Sequence, residues 1–285
     1  MKNLLLPLIA LTAILFASCS KSKTNDVTPA FGQDEDLVTF IFEPFNMEPI
    51  RGNNPIDVVN RLDLWITEGD NVYDFHQVRT ETNSFGTFHI ALNRTKTYTL
   101  YAVGHKADNE ATLTDDIIAF PDEKVTHSMF YTTTFSPANT QSLECAMQRI
   151  VGMFKFTITD AIPNDVDHMR FDISESGTRF NVATLTSTNK VARIAIPSSM
   201  NPNQQTGYTT FNIFIMADEM DEIKELEISV QAVGANDAVI EQRSFSEVPI
   251  KNGWVTSYTG TFFVTTGMTI NFTVGDWNLF DDYPY

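Results

Sequence analysis

Apolar and polar residues alternate with period two along most of the chain after Leu37. Arg61–Thr67 and Phe85–Leu92 each place their apolar side chains on one face, as expected for strands that border a core. The turn Glu68-Gly69-Asp70 predicts a hairpin between Arg61–Thr67 and Asn71–Gln77. The second half of the chain has further candidate strands: Ile150–Thr159, His168–Ile173, Asn181–Leu185, Val191–Ile196, Thr209–Ala217, Glu225–Val233, Val239–Val248, Trp254–Val264 and Met268–Val274.

Two stretches depart from the alternation. Asp108–Lys124 is less regular and predicts a short helix or an ordered loop, whereas the acidic Met216–Leu226 predicts a charged turn. Otherwise about fifteen short candidate strands with little helix indicate an all-β fold of the sandwich type. That number exceeds what one sandwich normally holds, so we expect two tandem β-sandwich domains.

The apolar phase changes within Ser142–Pro163. Apolar positions are odd-numbered up to Met147 and even-numbered from Ile150, so the change falls at Gln148 and Arg149. A shift of one residue turns every following side chain to the opposite face of a strand. Two explanations are a β-bulge and a crossing of the chain from one hydrophobic core to another. The even division of candidate strands favours the crossing.

This interpretation fixes the expected domain organisation. The N-terminal sandwich would span residues 37–148 and the C-terminal sandwich residues 149–285, with Gln148 and Arg149 at the domain junction. Cys145 would then point into the first core as a small hydrophobic residue, which we favour over a reactive role.

The first residues have the order of a secretory signal peptide. Lys2 is followed by the apolar run Leu4–Phe16, which is too short for a good membrane span, and by small residues before Cys19. Ala-Ser-Cys resembles a bacterial lipobox, which implies a signal peptide of residues 1–18 and an acylated Cys19. A plain signal peptide is the alternative. Acyl chains would anchor Cys19 in a membrane, and the polar residues 19–36 would be a flexible tether.

Charge and composition exclude several classes of protein. The formal net charge is −17, or −18 without Lys2. This charge disfavours nucleic-acid binding, because that binding depends on contacts between positively charged side chains and phosphates. With Cys19 acylated, the second cysteine has no disulfide partner, and the five histidines are scattered without metal-ligand spacing. No catalytic motif is present. We therefore expect no enzyme, no metal and no cofactor.

The order of several segments resembles the fimbrillin superfamily of Bacteroidia-type (type V) pili, in particular the minor subunits that include the fimbrial anchor. Each segment is weakly specific alone, but together they span nearly the whole chain. The segments are NRLDLWITEGDNVYDF (Asn60–Phe75), NRTKTYTLYAVGH (Asn93–His105), FPDEKVTHSMFYTTTFS (Phe120–Ser136), LECAMQRIVGMFKFTITDAIP (Leu143–Pro163) and INFTVGDWN (Ile270–Asn278).

The resemblance implies two transthyretin-like β-sandwiches in a lipoprotein of the outer membrane. It also implies that the chain joins other fimbrial subunits by strand donation, in which a strand of one subunit completes a sheet of another. In stalk subunits of this family an arginine-directed protease removes the first strand. Here that strand would be Leu37–Phe45, and Arg51 in the following loop would be the cleavage site. Arg51 as an ordinary solvated residue is the alternative, and an anchor subunit would keep the strand.

Two remaining features bear on the role. The residues after Trp277 are few, with two acids and a proline, which disfavours a polymerising stalk subunit and favours an anchor or a tip. The alternative function is a carbohydrate-binding surface lipoprotein, with Trp65, Trp254 and Trp277 as candidate stacking residues. Packing in a core is the favoured role for all three.

Overall fold

The structure is a computed structural model, and it describes residues 34–43, 59–80, 84–196, 209–264 and 270–276. Within these ranges the chain is all-β, with three one-turn 3-10 helices at Pro121–Glu123, Pro137–Asn139 and Ala235–Asp237 and no α-helix. The strands are β1 Glu35–Glu43, β2 Arg61–Glu68, β3 Asn71–Val78, β4 Thr87–Asn93, β5 Tyr98–His105, β6 Thr112–Thr114, β7 Ile117–Ala119, β8 Met129–Phe135, β9 Ser142–Ala146, β10 Gln148–Arg149, β11 Gly152–Ile158, β12 Val166–Ser176, β13 Arg179–Asn181, β14 Thr186–Thr188, β15 Val191–Ala195, β16 Thr209–Ile215, β17 Lys224–Gly234, β18 Val239–Ile250, β19 Trp254–Gly260 and β20 Ile270–Asp276.

The strands of the first half form one sandwich. A three-stranded sheet in the order β4-β1-β9 faces a five-stranded sheet in the order β10-β8-β5-β2-β3. Their facing side chains make a single apolar cluster, because alternate residues of each strand point inward. Leu62, Leu64 and Ile66 of β2 supply its centre. The predicted hairpin is confirmed, since β2 and β3 are joined by Gly69 and Asp70, with Gly69 at φ +56°.

The second half repeats this arrangement. A sheet in the order β16-β11-β19-β20 faces a sheet in the order β15-β12-β17-β18 around a core rich in phenylalanine. The repeat extends to strand direction. β1 is antiparallel to β4 and parallel to β9, and β11 is likewise antiparallel to β16 and parallel to β19. The first strand of each sandwich therefore lies between an antiparallel and a parallel neighbour.

A small fifth sheet joins the two sandwiches. Its order is β14-β13-β7-β6, so β6 and β7 from the first half pair with β13 and β14 from the second. A third apolar cluster lies beneath it and contains side chains from both halves. Phe130 and Phe180 meet in this cluster with ring centroids 5.0 Å apart. Trp65, on the outer face of β2, is buried in the same cluster.

The chain passes between cores where the apolar phase changes. Met147 belongs to the first core, Phe154 to the second, and Ile150 to the joining cluster. Gln148 and Arg149 form β10, which pairs with β8. The domain limits 37–148 and 149–285 remain a prediction.

The start of β11 packs closely against the chain before β19. A Cβ atom on Gly152 would lie 2.5 Å from the carbonyl oxygen of Lys251, so only glycine fits there. The crossing strand is thereby fixed at its first residue.

Three local predictions have clear outcomes. Asp108–Lys124 holds a one-turn 3-10 helix at Pro121–Glu123, in line with the predicted short helix, and also the short strands β6 and β7, which the sequence pattern did not indicate. The predicted strand Asn181–Leu185 was wrong, because the strand ends at Asn181 and Leu185 has a φ of +56°, outside the range of a β-strand. The charged turn in Met216–Leu226 is confirmed, and β17 begins at Lys224.

Candidate functional site

Strand β1 is held on both sides within the first sandwich. It pairs in antiparallel fashion with β4 over Glu35–Ile41 and in parallel fashion with β9 over Thr39–Glu43. Backbone hydrogen bonds extend the pairing, since Phe42 N–H donates to the Gly86 carbonyl at 2.8 Å. Without β1, strands β4 and β9 would face each other across a gap one strand wide.

One face of β1 is fully buried. Val38, Phe40 and Phe42 have 0% exposure. Phe40 meets Phe135 edge to face with ring centroids 5.4 Å apart, and Phe42 meets Phe88 in the same way at 5.9 Å. The strand therefore fills a row of apolar pockets in addition to its main-chain pairing, and such a row gives side-chain specificity to strand binding.

Cys145 lies opposite Phe42 on β9, buried in the first core. Burial raises the pKa of its thiol to about 12. Because the thiolate is the reactive form of cysteine, this thiol is inert at neutral pH. Its role is packing, as the sequence pattern indicated.

The buried thiol gives a direct prediction. In a chain that carries Cys19→Ser, Cys145 should not react with a water-soluble disulfide reagent at pH 8 until the protein is unfolded. The measurement is the absorbance of the coloured thiolate that the reagent releases on reaction, with and without denaturant. Full reaction of the folded chain within minutes would contradict the buried position.

A buried polar cluster fixes the loop before β6 to the first sandwich. Arg61 Nε donates to Asp63 Oδ1 at 3.0 Å, and Asp63 Oδ2 lies 2.7 Å from His105 Nε2. The same carboxylate accepts from the Ala111 N–H at 2.8 Å, while Arg61 Nη2 lies 2.8 Å from Glu110 Oε1. Arg61, Asp63 and His105 stand on the outward face of β2 and β5, where strand periodicity predicts solvent-facing side chains, and Glu110 and Ala111 lie in the loop before β6. The sequence carried no signal that they meet.

A second polar contact lies at the crossing between the two cores. Arg149 Nε donates to His127 Nε2 at 3.2 Å, and the buried His127 ring stacks on Phe214 with centroids 5.6 Å apart. Burial, with repulsion from Arg149, lowers the pKa of His127 from its usual 6.5 to about 3. The ring is therefore neutral in the folded protein at neutral pH.

His127 should make the protein less stable as the pH falls. The unfolded chain binds a proton at this histidine below pH 6.5, whereas the folded chain does not until about pH 3. The stabilisation is therefore complete above pH 6.5 and is lost as the pH falls toward 3. Between pH 7 and pH 5 this one group should lower the unfolding free energy by about 2 kcal/mol.

The variant His127→Gln isolates this contribution, because glutamine keeps an acceptor for Arg149 and does not titrate. Urea unfolding measures the free energy of unfolding at pH 7 and at pH 5. The decrease between the two pH values should be smaller in the variant than in the native protein. Equal losses in both proteins would exclude His127 as the source.

Other sequence-predicted residues fall in different places. Cys19, Arg51 and Trp277 lie outside the described residues. Trp65 is buried in the joining cluster, so it offers no stacking face to a sugar. Trp254 is half-buried with the Lys251 ammonium 5.0 Å from its ring centroid.

The described part of the chain contains no group of three or more histidine, cysteine or carboxylate side chains placed to hold a metal ion. No helix long and apolar enough to cross a membrane occurs in the same part.

Asp218, in one of the acidic turns, is paired with Lys190 and Lys224 at 2.9 Å and 3.1 Å.

Comparison by sequence gives no relative, since no family model and no curated protein matches the chain. Comparison by structure gives several. A candidate cell adhesion protein from Bacteroides uniformis has a TM-score of 0.53 at 13% identity, over 85% of this chain and 98% of its own. A candidate adhesin from Bacteroides thetaiotaomicron has a TM-score of 0.50 at 12% identity, over 88% and 99%.

A fimbrial assembly protein from Parabacteroides distasonis is more distant, with a TM-score of 0.44 at 12% identity over 86% of this chain and 96% of its own. The conclusion about the fold rests on the first two structures. This chain has the all-β fold of proteins described as adhesins and cell adhesion proteins in Bacteroides, in agreement with its resemblance to the Bacteroidia fimbrillins.

Proposed function

We propose that this chain is a structural cell-surface lipoprotein, an accessory or anchor subunit of a type V pilus that serves adhesion. The observation that carries the proposal is β1, a strand with separate main-chain partners on each side and a fully buried face. Removal of a strand in that position would leave a groove between β4 and β9. The space it leaves then accepts a strand of the same pattern from another subunit.

The remaining parts of the proposal rest on the sequence and on the structural neighbours. The neighbours are described as adhesion proteins, which supports a non-enzymatic role at the cell surface. Acylation of Cys19 would hold the chain at the outer membrane. In an anchor subunit, β1 would stay in its groove and Arg51 would not be cut.

Strand replacement is tested with a labelled peptide of the β1 sequence, residues 35–43. The intact chain should not take up the peptide, because its own β1 fills the groove. A chain cut after Arg51 by an arginine-specific protease, and released from β1 in mild denaturant, should bind the peptide after dilution. N-terminal sequencing identifies the cut, and native gels measure the uptake.

A matched peptide with Phe40→Asp is the control, since a charge cannot enter the pocket of Phe40. Equal uptake of both peptides, or no uptake by the cut chain, would contradict strand replacement. The subunit role is tested separately by deleting the gene in the source bacterium. Pili should then detach from the cells or change in length, and unchanged pili would contradict an anchor or accessory role.

A further inference from the structure

The outer edge of β9 carries main-chain groups without a partner. β1 lies on one side of β9, where the Gln141 carbonyl accepts a hydrogen bond from β1 at 3.0 Å and Met147 N–H donates to β1 at 3.2 Å. Main-chain groups of alternate residues point to opposite edges of a strand, so those of Ser142, Glu144 and Ala146 point away from β1. All three residues are exposed, and their N–H and carbonyl groups have no hydrogen-bond partner in the described part of the chain.

This unpaired edge lies on one side of the first sandwich. On the other side, the Gln77 side chain of β3 donates to the Thr87 carbonyl at 2.8 Å and accepts from Gly86 N–H at 2.9 Å, which ties β3 to the start of β4. β9 therefore borders the opposite side, as does β8 beyond the two residues that pair with β10. There Leu143 and Tyr131 pack against the first core and are only partly buried. This side thus offers apolar surface next to the unpaired main-chain groups.

The second sandwich has the corresponding edge covered. β19 is parallel to β11 as β9 is parallel to β1, and β20 pairs with the outer side of β19 in antiparallel fashion. β20 alternates apolar residues at Ile270, Phe272 and Val274, and it pairs Thr273 with Ser257. No strand lies in this position beside β9 among the described residues. The chain therefore contains a template for a strand that would cover the edge of β9.

Glu144 restricts which strand fits there. Its side chain is exposed in the middle of β9 and forms no ion pair with a described residue. If two copies paired in antiparallel fashion through Ser142, Glu144 and Ala146, the two Glu144 carboxylates would stand opposite each other, which destabilises a sheet. A lysine or arginine opposite Glu144 would stabilise the pairing instead. The residues on each side of that cation would turn their side chains inward beside Leu143 and Cys145, where apolar groups fit.

We propose that the outer edge of β9 binds an extended segment of another protein, antiparallel to β9, with a basic residue opposite Glu144 and an apolar residue on each side of it. The segment would form main-chain hydrogen bonds with Ser142, Glu144 and Ala146, and its apolar side chains would cover Leu143 and Tyr131. β1 stays in place in this complex. The interaction is therefore additional to the replacement of β1 and independent of it.

The test is a titration of the intact chain with a fluorescent peptide of the β20 sequence, Ile270–Asp276, that carries Thr273→Lys at its centre. Fluorescence anisotropy should show saturable binding. Glu144→Lys should weaken this binding about threefold to tenfold, because a cross-strand attraction becomes a repulsion. A peptide with Thr273→Glu should show the reverse preference. The control Asp74→Lys makes the same change of charge on β3, at the other side of the sandwich, and should leave the affinity unchanged.

Methylation of the peptide backbone separates strand pairing from general attraction between charges. Methyl groups on the nitrogens of residues 271, 273 and 275, which would face β9, should abolish binding. Methyl groups on the nitrogens of residues 272 and 274, which would face away from β9, should leave the peptide able to bind. Equal binding of the two methylated peptides would contradict main-chain pairing at this edge.

Three further outcomes would overturn the proposal. The first is an absence of saturable binding at about 1 mM peptide, or equal weakening by Glu144→Lys and Asp74→Lys. The second is binding that requires prior removal of β1, which would place the peptide in the groove of β1 and would support strand replacement instead. The third is a dimer of the chain alone that Glu144→Lys dissociates, which would identify a second copy as the occupant of the edge.

Discussion

Replacing Phe40 by alanine should lower the free energy of unfolding by about 3–5 kcal/mol. Phe40 has no exposed surface and packs edge to face on Phe135 across the first sandwich. The strand that carries it is hydrogen-bonded on both sides, so the backbone cannot move inward to close the cavity left by the ring. Urea unfolding followed by tryptophan fluorescence measures the loss.

Ile41→Ala is the matched control on the same strand, because Ile41 points the other way and is only partly buried. Its loss should stay below about 1.5 kcal/mol. Similar losses for the two variants would show that β1 is not anchored by its inward face. The strand-replacement proposal would then lose its main support.

Replacing Phe180 by alanine should have a second, different effect. Phe180 is buried on β13, and its ring meets Phe130 of the first half beneath the joining sheet. We expect a loss of about 3–5 kcal/mol for the aromatic ring. We also expect the unfolding of the two halves to separate, because the pairing of β7 with β13 covers only Ile117–Ala119 and Arg179–Asn181 and lies over this cluster.

Calorimetry distinguishes the two effects, since the native chain should melt in one transition and the variant in two. Phe211→Ala is the control, because Phe211 belongs to the second core alone. It should lower the stability and leave the transition single. A single transition in Phe180→Ala would mean that other contacts couple the halves.

Period-two alternation predicted the long strands and their inward faces well. β1, β2 and β11 bury the residues that the pattern places inward, because a long strand with one face in a core repeats its signal several times. The phase change at Gln148 and Arg149 falls where the chain moves from one core toward another, because the strands on either side each bury one face in a different core. Cys145 could be assigned to packing from its phase alone.

The strands and contacts that the sequence pattern did not predict are short or depend on residues distant in the chain. β6, β7 and β13 have three residues each, too few for a period to be recognised. β7 and β13 pair with each other across the two halves, and β6 pairs with β7. The contact of Asp63 with His105 joins outward positions on neighbouring strands, which the pattern assigns to solvent.

The parallel pairing of β1 with β9 has a mechanical consequence. The start of β1 lies beyond the first paired residue of β9, and the end of β9 lies beside Glu43 at the far end of β1. Tension between the N-terminal side of β1 and the chain that leaves β9 would therefore pull the two strands lengthwise past each other. The hydrogen bonds between them would share that load together instead of opening one at a time, and the same holds for β11 and β19.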